Sequence, residues 1–111
     1  MKLAELLSRG GVCLSLKANT KEDAIRELVD ALGGAGKIAE AERIYKEVLE
    51  RERLLSTGIS HGLAIPHAKV DAVDEIVLAY GYSAKGVDFK ALDKNMTRCI
   101  FLIITPIDSH G

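Results

Sequence analysis

The chain has 111 residues, 48% of them hydrophobic and 28% charged, with a formal net charge of −1. That is enough for one hydrophobic core without disulfide or metal staples, so a single domain over 1–111 is expected. The near-neutral balance and 5% aromatic content argue against a nucleic-acid partner, which would call for a basic surface and stacking rings. No apolar run approaches the ~20 residues of a spanning helix, and Met1 to Leu7 lacks a signal-peptide core, so direct membrane insertion is not expected. Cys13 and Cys99 form no C-x-x-C pair, which points to reduced, buried thiols and a cytoplasmic location.

Leu3, Leu6 and Leu7 have helical spacing and predict a short amphipathic turn ended by Gly10-Gly11. Val12, Leu14 and Leu16 alternate with Cys13, Ser15 and Lys17, the period of a half-buried strand. Thr20 with Asp23 forms a capping-box pattern that opens a helix. Ala24, Ile25, Leu28, Val29 and Leu32 make its apolar stripe, and the glycines at 33, 34 and 36 stop it. A second helix is predicted from about Ala39 to Arg53, with Ile44, Val48 and Leu49 inward. Glu42/Lys46 and Arg43/Glu47 stand as exposed i, i+4 pairs on that helix.

Beyond His67, the polar stretch Ala68 to Asp74 reads as a connection. Ile76, Leu78, Tyr80 and Tyr82 alternate with smaller residues as a strand, and Ala84-Lys85-Gly86 turns the chain. Val87 and Phe89 suit a short extended piece, and Asp93-Lys94-Asn95 signals another turn. The unbroken apolar run Cys99 to Ile104 predicts a central strand buried on both faces, ended by Pro106. The elements together predict an α/β fold, a mixed β-sheet flanked by helices.

The window Ser56-Thr57-Gly58-Ile59-Ser60-His61-Gly62-Leu63-Ala64-Ile65-Pro66-His67 concentrates the chemistry. Pro66 fixes its own φ and biases Ile65 to an extended conformation, which puts His67 on a stiff stem. Gly58 and Gly62 allow close backbone approach, and Ser56 and Thr57 offer hydroxyl donors to an anion. An imidazole can act as base, ligand or nucleophile near neutral pH, so several chemistries stay open here. No H-x-x-x-H spacing joins the three histidines, so a metal site has little support and no cofactor is called for.

Arg51-Glu52, then Ser56-Thr57-Gly58-Ile59, then Gly62-Leu63-Ala64-Ile65-Pro66-His67 together resemble the signature of the type-2 EIIA domain. That is the fructose, mannitol and nitrogen-regulatory branch of the bacterial sugar phosphotransferase system. The likeness extends from Leu6-Leu7 through Thr20-Lys21-Glu22-Asp23-Ala24 to Gly86-Val87-Asp88-Phe89 and the Phe101 to Pro106 strand end. It implies the mannitol/fructose EIIA fold, with the further helical chain that members carry missing after Gly111, so that exposed apolar surface could drive self-association. It also implies a phosphotransferase component with a phosphohistidine intermediate on His67. Arg51, sixteen positions earlier, matches the family arginine and would stabilise the moving charge. Thr57, Ser56 and His61 would contact phosphate. The implied donor is a phospho-HPr-like protein and the acceptor an EIIB domain, or, in the nitrogen-regulatory alternative, a partner bound according to phosphorylation state. Members often carry a second active-site histidine farther past the proline equivalent to Pro106 than His110 stands, so that role is not assigned to His110.

Overall fold

The computed structural model describes residues 11–54, 62–89 and 96–107. The predicted Leu3–Leu7 turn, the Asp93–Asn95 turn and His110 lie outside them. In chain order the elements are β1 (Val12–Ser15), α1 (Lys21–Gly34), α2 (Ala41–Leu54), β2 (Leu63–Ala64), β3 (His67–Val70), β4 (Val77–Val87) and β5 (Thr97–Pro106).

Helix α1 starts where its cap was predicted: the Asp23 amide donates to the Thr20 hydroxyl at 3.2 Å, with Glu22 and Asp23 complementing the helix dipole. It stops at Gly34, and Gly36 takes φ +74° just beyond. The turn leading in is held by Glu27, whose carboxylate accepts the amides of Lys17 at 2.9 Å and Ala18 at 2.5 Å. Helix α2 lies alongside α1. Arg26 of α1 stacks 4.6 Å from the Tyr45 ring centroid and reaches Glu42 at 2.5 Å. Glu42 thus pairs across helices rather than with Lys46, because the neighbouring helix presents a fixed guanidinium while Lys46 stays exposed. Arg43 and Glu47 do form the expected pair at 3.6 Å.

The sheet is mixed, in the order β1-β4-β5, with β2 and β3 both along the far side of β5. β4 and β5 are antiparallel, and the other pairings are parallel. Both helices cover one face, where Ile25, Leu28, Leu32, Ile44 and Val48 meet Ala79, Ile100, Leu102, Ile104, Ala68 and Val70 in one buried cluster. Each of the larger aliphatic side chains contributes roughly 1.5–3 kcal/mol by leaving water.

Four expectations need correcting. Ala68 to Asp74 is not all connection: β3 takes its first part, because Ala68 and Val70 fall on the core side while only His67 and Lys69 are wet. Ala84-Lys85-Gly86 does not reverse the chain but buckles β4. Tyr82 pairs with Cys99 and Val87 with Thr97, so five steps on β4 match two on β5, with Gly86 at φ +91° inside the bulge. The run in β5 is central, yet only Ile100, Leu102 and Ile104 are fully buried, while Cys99, Phe101 and Ile103 on the other face are half-buried. Cys13 is exposed, because β1 turns Val12 and Leu14 toward the helices and Cys13 away from them.

Candidate functional site

β2 and β3 are one strand interrupted once. Leu63 lies opposite Cys99 and His67 opposite Ile103, the same offset along β5, so no residue is inserted between them. What is lost is a ladder bond. In this parallel register the amide of position 66 would donate to the Phe101 carbonyl, and Pro66 has no N–H. Pairing resumes at once, with the Ile103 amide donating to the Pro66 carbonyl at 3.0 Å. His67 therefore opens a paired strand directly after a residue of fixed φ.

Strand parity sets what His67 presents. Ala68 and Val70 are buried and His67 and Lys69 exposed. The ladder uses the carbonyls of Pro66 and Val70, which leaves the backbone groups of His67 and Lys69 on the edge away from β5. Ile65 shares that parity, and its carbonyl lies 3.2 Å from His67 Nδ1. A carbonyl can only accept, so in the neutral ring Nδ1 carries the proton and Nε2 keeps its lone pair. The site strand is anchored upstream by Gly62, at φ +75°, whose carbonyl accepts the amides of Arg98 at 2.8 Å and Cys99 at 2.9 Å.

Arg51 arrives from the last turn of α2. It lines a depression of about 250 Å³ together with Glu47 and Glu50 of its own helix and with Ala68 and Lys69 of β3. The end of α2 is thus brought to the two residues that follow His67, as the sequence predicts. Glu47 is engaged by Arg43 at 3.6 Å and Glu50 by Arg53 at 3.5 Å. Arg26 and Arg98 are also held, the latter donating to the Ala84 carbonyl at 2.6 Å. Among the described residues no ion pair holds Arg51, and Glu47 one turn earlier on α2 pairs with Arg43 instead.

Sequence reasoning gave Glu52 no role beyond its place in the motif. Its side chain is buried and lies 3.4 Å from Lys21 at the start of α1, and Lys21 in turn sits 5.4 Å from the Phe89 ring centroid. This inward carboxylate fixes the rotation of α2 and turns Arg51 outward. The available signal was a charged residue next to Arg51 on a helix whose opposite side is already polar. Lys69 was missed because its stretch read as a connection. Ser56, Thr57 and His61 lie outside the described residues. Among the described residues, no three His, Cys, Asp or Glu side chains are grouped to hold a metal, and no helix is long and apolar enough to cross a membrane.

Residues 5–110 match the family described as "Phosphoenolpyruvate-dependent sugar phosphotransferase system, EIIA 2". The chain belongs to this family. It is 39% identical over 93% of its length to the PTS system fructose-specific EIIABC component of Bacillus subtilis, and 40% identical over 78% to the PTS system fructose-specific EIIA component of Haloferax volcanii. It spans only 16% of the former protein and 56% of the latter. The crystal structure of nitrogen regulatory protein IIA-Ntr from Neisseria meningitidis has the same fold, with a TM-score of 0.83 over 96% of this EIIA chain and 75% of that one, at 24% identity. The IIA chain in the complex of enzyme IIA-Mtl with phosphorylated enzyme IIB-Mtl from Escherichia coli superposes with a TM-score of 0.72 at 26% identity, over 89% of this chain and 69% of that one. The EIIA fold expected from the sequence is the fold observed.

Proposed function

We propose that this EIIA domain is a phosphoryl carrier of the sugar phosphotransferase system, accepting the group on Nε2 of His67 and passing it to an EIIB partner. The observation that carries the reading is the bond between Nδ1 and the Ile65 carbonyl, which commits the lone pair to Nε2 on an exposed strand position. In the forward step the Nε2–P bond forms as the N–P bond of a phosphohistidine on an HPr-like donor breaks. The electron pair of the broken bond stays on that donor nitrogen as its lone pair, and with the other donor ring nitrogen keeping its proton throughout, the leaving group is a neutral imidazole. Such a step asks the protein mainly for positioning and for cations around the three equatorial oxygens. Arg51, which has no ion-pair partner among the described residues, is proposed for that role and can contact two oxygens at once. Thr57, Ser56 and His61 are proposed as supporting phosphate contacts from the motif alone. The donor is itself a phosphoprotein, so the step needs no cofactor.

The fructose-specific names of the two relatives and the IIB partner of the Escherichia coli neighbour support the transport form of this reading. The nitrogen-regulatory alternative shares the first step and differs in the acceptor, so transfer to an EIIB fragment separates the two. Self-association has exposed Ile76, Tyr82, Met96 and Ile107 to draw on. A monodisperse monomer in light scattering would rule it out.

The test is phosphoryl uptake from phosphoenolpyruvate through Enzyme I and HPr, followed by phosphorus NMR. Wild type is expected to give a phosphoimidazole signal that His67→Ala loses, and Arg51→Lys to slow its appearance by roughly 10²-fold. Labelling that survives in His67→Ala, or a wild type that stays unlabelled beside fully phosphorylated HPr, overturns the reading.

A further inference from the structure

We propose that Lys69 is a second phosphoryl-contacting cation of this site, one that stabilises the charged phosphohistidine once it has formed. The inference rests on the carrier reading for His67.

Three observations converge on it. His67 and Lys69 occupy alternate positions of β3 and are both exposed, while Ala68 and Val70 turn to the core. Alternate residues of a strand stand about 6.7 Å apart on one face. A lysine stem spans that distance, so its ammonium can meet a phosphoryl group on the neighbouring imidazole. Lys69 also lines the depression that Arg51 lines, the one lysine among the described residues to do so. The third observation is the charge balance there. The two carboxylates of that depression are engaged by Arg43 and Arg53. Among the described residues neither Arg51 nor Lys69 has an ion-pair partner, so two cations without a carboxylate partner line one depression beside the strand that carries His67.

The two cations suit different parts of the work. The planar fork of Arg51, on a helix, matches two oxygens in a fixed direction and favours the transfer geometry. The ammonium of Lys69 is a compact charge on a flexible stem that can follow the group after it has bonded to Nε2. A cation so placed favours the dianionic phosphoryl group over its protonated form. It therefore acts on the charge state of the stored group, and the proton affinity of that group reads it out directly.

Phosphoramidate, a small N–P donor that needs no partner protein, serves to label the domain, and the phosphorus chemical shift is followed against pH. Lys69→Gln is expected to bind the phosphoryl proton at least about threefold more tightly than wild type, Lys69→Glu more tightly still, and Lys69→Arg nearly as wild type. Circular dichroism checks that these exposed substitutions leave the fold intact. Labelled wild type and Lys69→Gln with the same inflection overturn the inference and leave the carrier reading standing. A wild type whose His67 takes no label, under conditions that phosphorylate free imidazole, overturns both.

Discussion

Pro66 shapes the site by what it lacks. Without an amide it drops one ladder bond to β5, and the Ile65 carbonyl beside it receives the ring of His67. The Ile-Pro-His triplet is in this sense a device for choosing a tautomer, and nothing in it requires a loop. A second residue-scale case lies on the opposite half of the sheet. Tyr80 donates its hydroxyl to Cys99 Sγ at 3.5 Å and packs against Phe101, with ring centroids 4.7 Å apart. The bond to Cys99, with burial second, pushes its phenol up to about 12. The native state thus keeps a proton that the unfolded chain releases near 10. Stability from this group is present below that pH and falls as pH rises through about 12. In an alkaline titration read by tyrosinate absorbance, one phenol should ionise last, and Cys99→Ala should bring it back toward the others. A titration unchanged by Cys99→Ala would remove the sulfur as the cause.

At the scale of elements, the glycines show where a turn signal is real but its result is not a turn. A Cβ on Gly86 would stand 2.7 Å from Met96 Cβ, and the backbone there has φ +91°. Gly86→Ala is therefore strained and overpacked at once, and should lose about 2–3 kcal/mol in urea unfolding. Gly34 is the contrast: it is helical, and nothing lies within 4 Å of an added Cβ. Gly34→Ala should be neutral or gain up to about 1 kcal/mol. A Gly86→Ala as stable as wild type would mean that the β4 bulge tolerates a side chain. Local pattern was enough for the helices, since Thr20 caps α1 and the apolar stripes of both helices are the buried ones. It was also enough to bring the end of α2 to β3, where Arg51 lines a depression with Ala68 and Lys69. It fell short where pairing decides. β3 shows only two core residues, one of them alanine, and is a strand because β5 offers a free edge. In β4 the alternation did not say which set faces the helices: the small residues Ala79 and Gly81 do, and Leu16 packs so close that a Cβ added at Gly81 would stand 2.8 Å from it.

At the scale of the molecule, the proposed site draws on both layers at once. Arg51 comes from α2 and His67 from β3, and the core between helices and sheet holds these two elements together. Leu102 sits at the middle of that core, fully buried on the central strand between Ile100 and Ile104. One continuous cluster, reaching from Leu16 before α1 to Ile104, predicts a single cooperative unit. Leu102→Ala should cost about 2–5 kcal/mol through lost transfer energy and the cavity left behind. In urea, far-ultraviolet circular dichroism reports mainly the helices, whereas tyrosine fluorescence draws on Tyr80 and Tyr82 of β4 as well as Tyr45 of α2. The two probes should give coincident transitions in wild type, and in Leu102→Ala both should move to lower urea with unchanged slope. If they part, with the sheet outlasting the helices, β3 would remain paired while α2 left, and His67 would keep its tautomer without α2 packed on its strand. Such a state would still expose the Nε2 lone pair but lack the fixed guanidinium, so phosphoryl uptake should fall along the helical transition and not along that of the sheet.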